Sequence, residues 1–256
     1  MDYDIASISL VGDREHNEDF ATCTTLREGG VVAVVCDGLG GHARGEWASR
    51  AFAEAAVAAT VDTPAACVTS RDNAKRHFTE VFLKGRDNIS YKLALEESDD
   101  DPKTTAVIVA LRDEGLAIAH VGDSRAYRLA PGAEAWRTRD HSVVQMLLDE
   151  GSITEEEMAQ HPDQGRLFKS VGTKRDDAPS VTVQPPLESG EAMLLCTDGF
   201  WEYVTTEERQ NLLQATNLQA YLETLALTST SRAQGRSDNV TALCVRARAV
   251  TLPTGD

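Results

Sequence analysis

A chain of 256 residues with 41% hydrophobic content is long enough to bury a large core, which excludes a disordered or fibrous protein. Its 41 acidic residues against 25 basic ones give a net charge of −16; that charge repels nucleic acid and acidic membrane surfaces and suits divalent cations or basic partners. No stretch reaches the roughly 18 apolar residues of a membrane span, the start MDYDIASISL has no apolar leader, and five scattered cysteines without a CxxC pair predict a reducing, cytoplasmic setting.

The first stretch, YDIASISLVG (3–12), alternates polar and apolar residues like a half-buried strand. FATCTTLREGGVVAVVC (20–36) reads as two strands joined by a Glu-Gly-Gly turn. From Gly45 to Val61 the period turns helical, with Ala48, Ala51, Phe52, Ala55 and Ala59 spaced by three and four and Pro64 just beyond. A second helix is predicted from about Arg71 to Leu95, with Phe78, Val81, Phe82, Leu83, Ile89, Leu93 and Leu95 on its apolar side. After the acidic turn EESDDDPK, residues 104–140 alternate short β-type runs with Asp-Glu-Gly, Gly-Asp-Ser and Pro-Gly turns, an antiparallel meander. Residues 142–175 are helical and polar, with a helix stopped by Gly151 and an N-cap at Thr154, and then an irregular loop. Strands near Ser180–Val183 and Ala192–Cys196, two helices across Thr205–Leu227 and a last strand Asn239–Arg246 complete the chain.

Strands come in blocks and helices in pairs, which predicts an α+β fold with antiparallel sheets and not a doubly wound one. The absence of repeats or linkers predicts one domain over 1–256, with its core at about 4–246 and a short polar tail, TLPTGD.

Carboxylates recur where β-type runs stop. Asp37 follows VVAVVC, Asp198 follows AMLLCT, Asp123 sits inside AHVGDSRAY, Asp238 precedes NVTALCV, and Glu18 and Asp19 close DREHNEDF. Singly, Asp-Gly and Asp-Asn are ordinary turn dipeptides. Together, carboxylates packed beside apolar strand ends repel one another and resist desolvation unless a positive charge sits among them. Hard divalent cations answer that need, and magnesium or manganese suits all-oxygen sites better than zinc does. The glycines of DGLGGH would let a backbone carbonyl such as that of Gly38, and a substrate, approach the ions. Two such ions about 3.5–4 Å apart activate water and orient a phosphoryl oxygen for in-line attack. Arg14, four residues before Glu18, offers a guanidinium fork for phosphate, unless it is simply a surface arginine.

The segments GDREHNEDF, VVCDGLGGH, KTTAVIVA, AHVGDSRAYRL, RDHSVVQMLLDEGSITEEE, HPDQGRLFKSVG, LLCTDGFWEYVTTEE and SDNVTALCV resemble, in order, the motifs of the metal-dependent type 2C serine/threonine protein phosphatases of bacterial type, over about Ser7–Val245. The resemblance implies two antiparallel sheets packed as a sandwich with helices on both outer faces. It implies that Asp37 bridges two manganese or magnesium ions, that Glu18 and the Gly38 carbonyl complete one site, and that Asp198 and Asp238 complete the other. Asp19 would hold a metal-bound water, Asp123 would bind a weaker third ion, and Arg14 would bind the substrate phosphate. Hydroxide between the ions would attack phosphoserine or phosphothreonine directly, so Cys36 and Cys196 would be core residues.

Two positions depart from the family pattern. Leu39 stands where some members carry a His, so the leaving-group acid stays open between His42 and a water, and Gln164 and Gly165 replace an Arg-Asn pair in the flap. His141 and His161 read as loop organisers. The expected partners are phosphorylated proteins modified by a Ser/Thr kinase, with no nucleic acid or membrane, and the expected state is a monomer. TDGFWEYV resembles the form found in phosphatases that regulate a secretion apparatus. A binding-only protein and a small-ester phosphatase are the competing readings.

Overall fold

The computed structural model describes residues 2–39, 44–97, 100–132, 136–173 and 177–248. Its strands are β1 (Asp2–Leu10), β2 (Phe20–Thr25), β3 (Val31–Cys36), β4 (Gly38–Leu39), β5 (Lys103–Thr104), β6 (Ala106–Arg112), β7 (Gly115–Val121), β8 (Arg125–Leu129), β9 (Trp136–Arg137), β10 (Val171–Gly172), β11 (Ser180–Gln184), β12 (Ala192–Cys196) and β13 (Val240–Arg248). The helices are α1 (Gly45–Thr60), α2 (Ala65–Thr69), α3 (Arg71–Leu95), α4 (Val143–Asp149), α5 (Glu155–Met158), α6 (Asp198–Trp201), α7 (Thr206–Gln210) and α8 (Leu218–Arg232).

Two five-stranded sheets carry the fold, in the orders β1-β13-β12-β8-β9 and β11-β7-β6-β3-β2, and the short strands β10-β5-β4 form a third. Because side chains alternate across a strand, β3 sends Val31, Ala33 and Val35 toward Met193, Leu195, Leu243 and Val245 of the facing sheet. Its other residues, Val32, Val34 and Cys36, pack with Ala48, Phe52, Phe78 and Val81 of α1 and α3. Burial on both faces explains the unbroken run VVAVVC. The second sheet repeats the arrangement, with Leu194, Cys196 and Ala242 packed with Phe200, Leu222 and Leu225. The result is an α+β sandwich with helices on both outer faces, as expected.

Some local expectations shift. β1 pairs over nine residues with the last strand, β13, from Asp2↔Arg248 to Leu10↔Val240. The buried stripe of α1 uses Ala53 and Ala56, while Ala55 and Ala59 are only partly covered. On α3, Leu83 and Leu95 face solvent. Asp198 opens α6 and so begins a helix, with β12 already ended at Cys196. The stretch 159–170 contains no helix, and α8 continues to Arg232. Thr154 caps α5 in a capping box with Glu157. Gly40, Gly41, His42 and the tail TLPTGD lie outside the described residues.

Candidate active site

The end of β3 is fastened before its carboxylate is presented. The Asp37 backbone N–H donates to Thr105 Oγ1 (3.0 Å), and the Asp37 carbonyl accepts from Thr105 N–H and from Thr104 Oγ1 (both 2.8 Å). Thr105 Oγ1 lies 2.6 Å from Ser124 Oγ, which ties this corner to the turn carrying Asp123. The Gly38 N–H donates to the Glu18 carbonyl at 3.1 Å. A Cβ on Gly38 would meet the Gly45 carbonyl at 2.4 Å, and one on Gly45 would meet the Glu18 carboxylate at 2.8–2.9 Å. Only glycine at both positions leaves room for that carboxylate and the chain beside it.

Asn239 joins the remaining loop. Its Oδ1 accepts from Glu18 N–H (2.8 Å), and its Nδ2 donates to the carbonyls of Val11 (2.8 Å) and His16 (2.9 Å). Its own N–H donates to Asp238 Oδ1 at 2.8 Å. Asp19 is 7% exposed and accepts from Thr197 Oγ1 at 2.8 Å, directly before Asp198. Asp198 Oδ1 accepts from Gly199 N–H (2.7 Å), and Oδ2 accepts from the Gln164 amide (3.4 Å). The Asp123 carbonyl accepts from Trp201 Nε1 at 3.1 Å.

Charge follows geometry. Burial, then Asp19, Asp198, Asp123 and Asp238, push Asp37 well above the usual carboxylate range. Burial and Asp198 do the same to Asp123. Burial raises Asp19 to about 8, against hydrogen bonds from Thr241 and Thr197 that favour its ionised form. Asp198 rises to about 6 through burial and the repulsion of Asp238, and Glu18 rises through burial and Glu46. Glu202, just beyond α6, reaches about 9 through burial and through Asp198, Asp123 and Asp238. Arg14 is the nearby countercharge on the open side, and its Nη2 donates to Asp238 Oδ2 at 2.7 Å.

All eight residues singled out from the sequence, Arg14, Glu18, Asp19, Asp37, Gly38, Asp123, Asp198 and Asp238, therefore gather in one basin. Arg14 is largely exposed but held by Asp238. Glu202, Asn239 and Gly45 escaped sequence reading. Glu202 could have been noticed four residues after Asp198, one helical turn on. The oxygen-only donors and their mutual repulsion fit hard divalent cations. Among the described residues, no three acidic, His or Cys side chains close on one point. An open basin is compatible with such cations, since magnesium-like ions keep several waters and use one or two carboxylates.

Known proteins share this architecture. The family model for protein phosphatase 2C matches residues 9–240. Protein phosphatase PhpP of Streptococcus pneumoniae is 30% identical over 243 residues, covering 93% of this chain and 96% of its own. The catalytic domain of PstP, solved in complex with two manganese ions, superposes with a TM-score of 0.78 at 27% identity, covering 96% of this chain and 99% of that one. PppA of Pseudomonas aeruginosa, described as a key regulatory component of T6SS, superposes with a TM-score of 0.73 at 30% identity, covering 96% and 97%. Fold and carboxylate basin thus define a metal-dependent phosphoprotein phosphatase. The chain belongs to the protein phosphatase 2C family.

Proposed function

We propose that this phosphatase hydrolyses phosphoserine and phosphothreonine in proteins with its carboxylate basin as the catalytic centre. The observation that carries the assignment is the desolvated, mutually repelling set around Asp37, whose ionised form bound cations stabilise. A pair of manganese or magnesium ions would supply Lewis-acid polarisation of the phosphoryl group and a water acidic enough to attack phosphorus directly at neutral pH. Asp37, Glu18, Asp198 and Asp238, with the Gly38 carbonyl, would hold the two ions, Asp19 would orient a water from behind them, and Asp123 would hold a weaker third ion. Arg14 holds Asp238 and turns to the substrate phosphate once that carboxylate is neutralised. Leu39 has no proton to give, which leaves His42 and a water as the candidates for protonating the leaving oxygen.

We read the chain as a single catalytic domain acting as a monomer against the products of a Ser/Thr kinase. Five free cysteines suit the cytoplasm, and no helix among the described residues is long and apolar enough to cross a membrane. The description of PppA and the segment TDGFWEYV support a regulatory role in a secretion apparatus.

The deciding experiment is phosphate release from a phosphothreonine peptide with manganese, with EDTA, and with Asp37→Asn. Manganese-dependent release lost in the folded variant is the expected result. Absence of release by the folded parent protein across several peptides and both metals would overturn the reading.

A further inference from the structure

A second cleft of about 680 Å³ opens between the two large sheets, on the side of α3. Its walls are built from sheet edges: β11 is the outermost strand of one sheet and β9 of the other. Ser180 and Thr182 come from the first, Trp136 and Arg137 from the second, and the opening turns of α3 add Arg71 and Lys75. Arg139 also lines it, and among the described residues the only carboxylate in the lining is Asp72. A cleft with four basic side chains runs against the trend of a chain whose net charge is −16.

Two of those cations have no assigned structural work. Arg137 pairs with Glu155, and Arg139 with Asp149. Arg71 and Lys75 are exposed and have no side-chain partner among the described residues. Arg71 also stands where a helix least favours a cation. Arg71 is the first residue of α3, at the positive end of its dipole, and Lys75 follows four residues later, a like charge on the same face.

A pair of stacked histidines links the cleft to the turn that carries Asp123. His120, in its lining, stacks on His141 with ring centroids 4.7 Å apart and planes 10° from parallel. His141 Nε2 lies 2.9 Å from Ser180 Oγ in the same lining, while its Nδ1 accepts from the Gly122 N–H at 3.1 Å, one residue before Asp123.

We propose that this cleft docks an extended acidic segment of the phosphoprotein substrate, outside the phosphorylated residue itself. The inference rests on the phosphatase reading above and adds the source of its substrate preference. Strand edges take an extended peptide by main-chain hydrogen bonding, and Arg71 and Lys75 supply the attraction for carboxylates. A nucleic acid would meet the same cations but be repelled by the remaining surface.

The test compares phosphothreonine peptides carrying an acidic or a neutral extension, at increasing separation from the phosphothreonine, with p-nitrophenyl phosphate as a peptide-free substrate. The parent protein should favour the acidic peptide about ten-fold in kcat/KM, through KM, with the advantage shrinking as salt is added. In the double variant Arg71→Glu/Lys75→Glu the preference should vanish while p-nitrophenyl phosphate turnover and Tm hold. Equal use of both peptides by the parent protein, or a preference that survives charge reversal, would overturn the proposal. Should no substrate be hydrolysed, the phosphatase reading falls. Fluorescence anisotropy of a labelled acidic peptide with parent and double variant then still decides the docking, and equal binding to both would sink it.

Discussion

Asp37 combines burial with the repulsion of four neighbouring carboxylates, a combination that costs stability and, on the proposed assignment, serves catalysis. Replacing it with Asn should therefore act in two directions. Metal-dependent kcat/KM should fall by at least about 10³-fold, or ~4 kcal/mol of barrier, while the Tm in EDTA should rise. Steady-state kinetics and thermal scans of the same preparations check both. The pH dependence has a definite sign. Asp19 titrates at about 8 and Asp198 at about 6 in the folded protein, against about 3.9 in an unfolded chain. Between about pH 4 and 8 the folded state thus holds more protons than the unfolded one, so stability falls as pH rises through that window. Metal ligands must be deprotonated, so on the proposed assignment metal uptake releases these protons. Thermal scans should show Tm dropping from pH 5 to 8 in EDTA and a manganese-induced increase in Tm that grows with pH. A flat profile in EDTA would contradict the desolvated basin.

Between elements, the decisive contact is the brace behind Asp123. Arg125, opening β8, forks onto Asp140 with three contacts of 2.7–3.1 Å and lies 3.4 Å over the Trp201 ring, whose N–H holds the Asp123 carbonyl. Both charges are almost fully buried. Asp140→Ala strands the guanidinium and should cost about 3–5 kcal/mol in urea unfolding, whereas Arg125→Met/Asp140→Leu should recover much of that loss. Both changes should weaken metal-dependent activity: the double variant removes the guanidinium stacked on Trp201, and Asp140→Ala removes the carboxylate that holds that guanidinium in place. Legibility from sequence was uneven at this scale. VVAVVC and AMLLC could be read because burial on both faces leaves a continuous apolar run. The two-residue strands β4, β5 and β10 could not, since two residues carry no period. Asp198 read as a strand end because β12 stops only two residues earlier, and a four-residue helix leaves no amphipathic pattern.

For the whole molecule, the α+β class with antiparallel sheets followed from strand blocks and the sandwich from the family resemblance, whereas the pairing of β1 with β13 left no local trace. The carboxylates at strand ends could be found by inspection. Asn239, which binds loop 11–18 to the last strand, looks like an ordinary turn residue until its three partners are seen. The five cysteines form no disulfide, and burial raises Cys196 and Cys244 to about 12. Reductant should leave Tm unchanged, and thiol labelling of the native protein should reach the partly exposed Cys23 first, as peptide mapping would show. The β1–β13 register also constrains the order of assembly. Its pairs join residues separated by most of the chain, the kind of contact that forms late and slowly. During synthesis β1 has no neighbour in its sheet until β13 emerges, and Asn239 cannot fasten the Glu18 loop before then. A nascent chain therefore holds its carboxylates apart, and the capacity to cleave phosphate esters arrives only with the last strand.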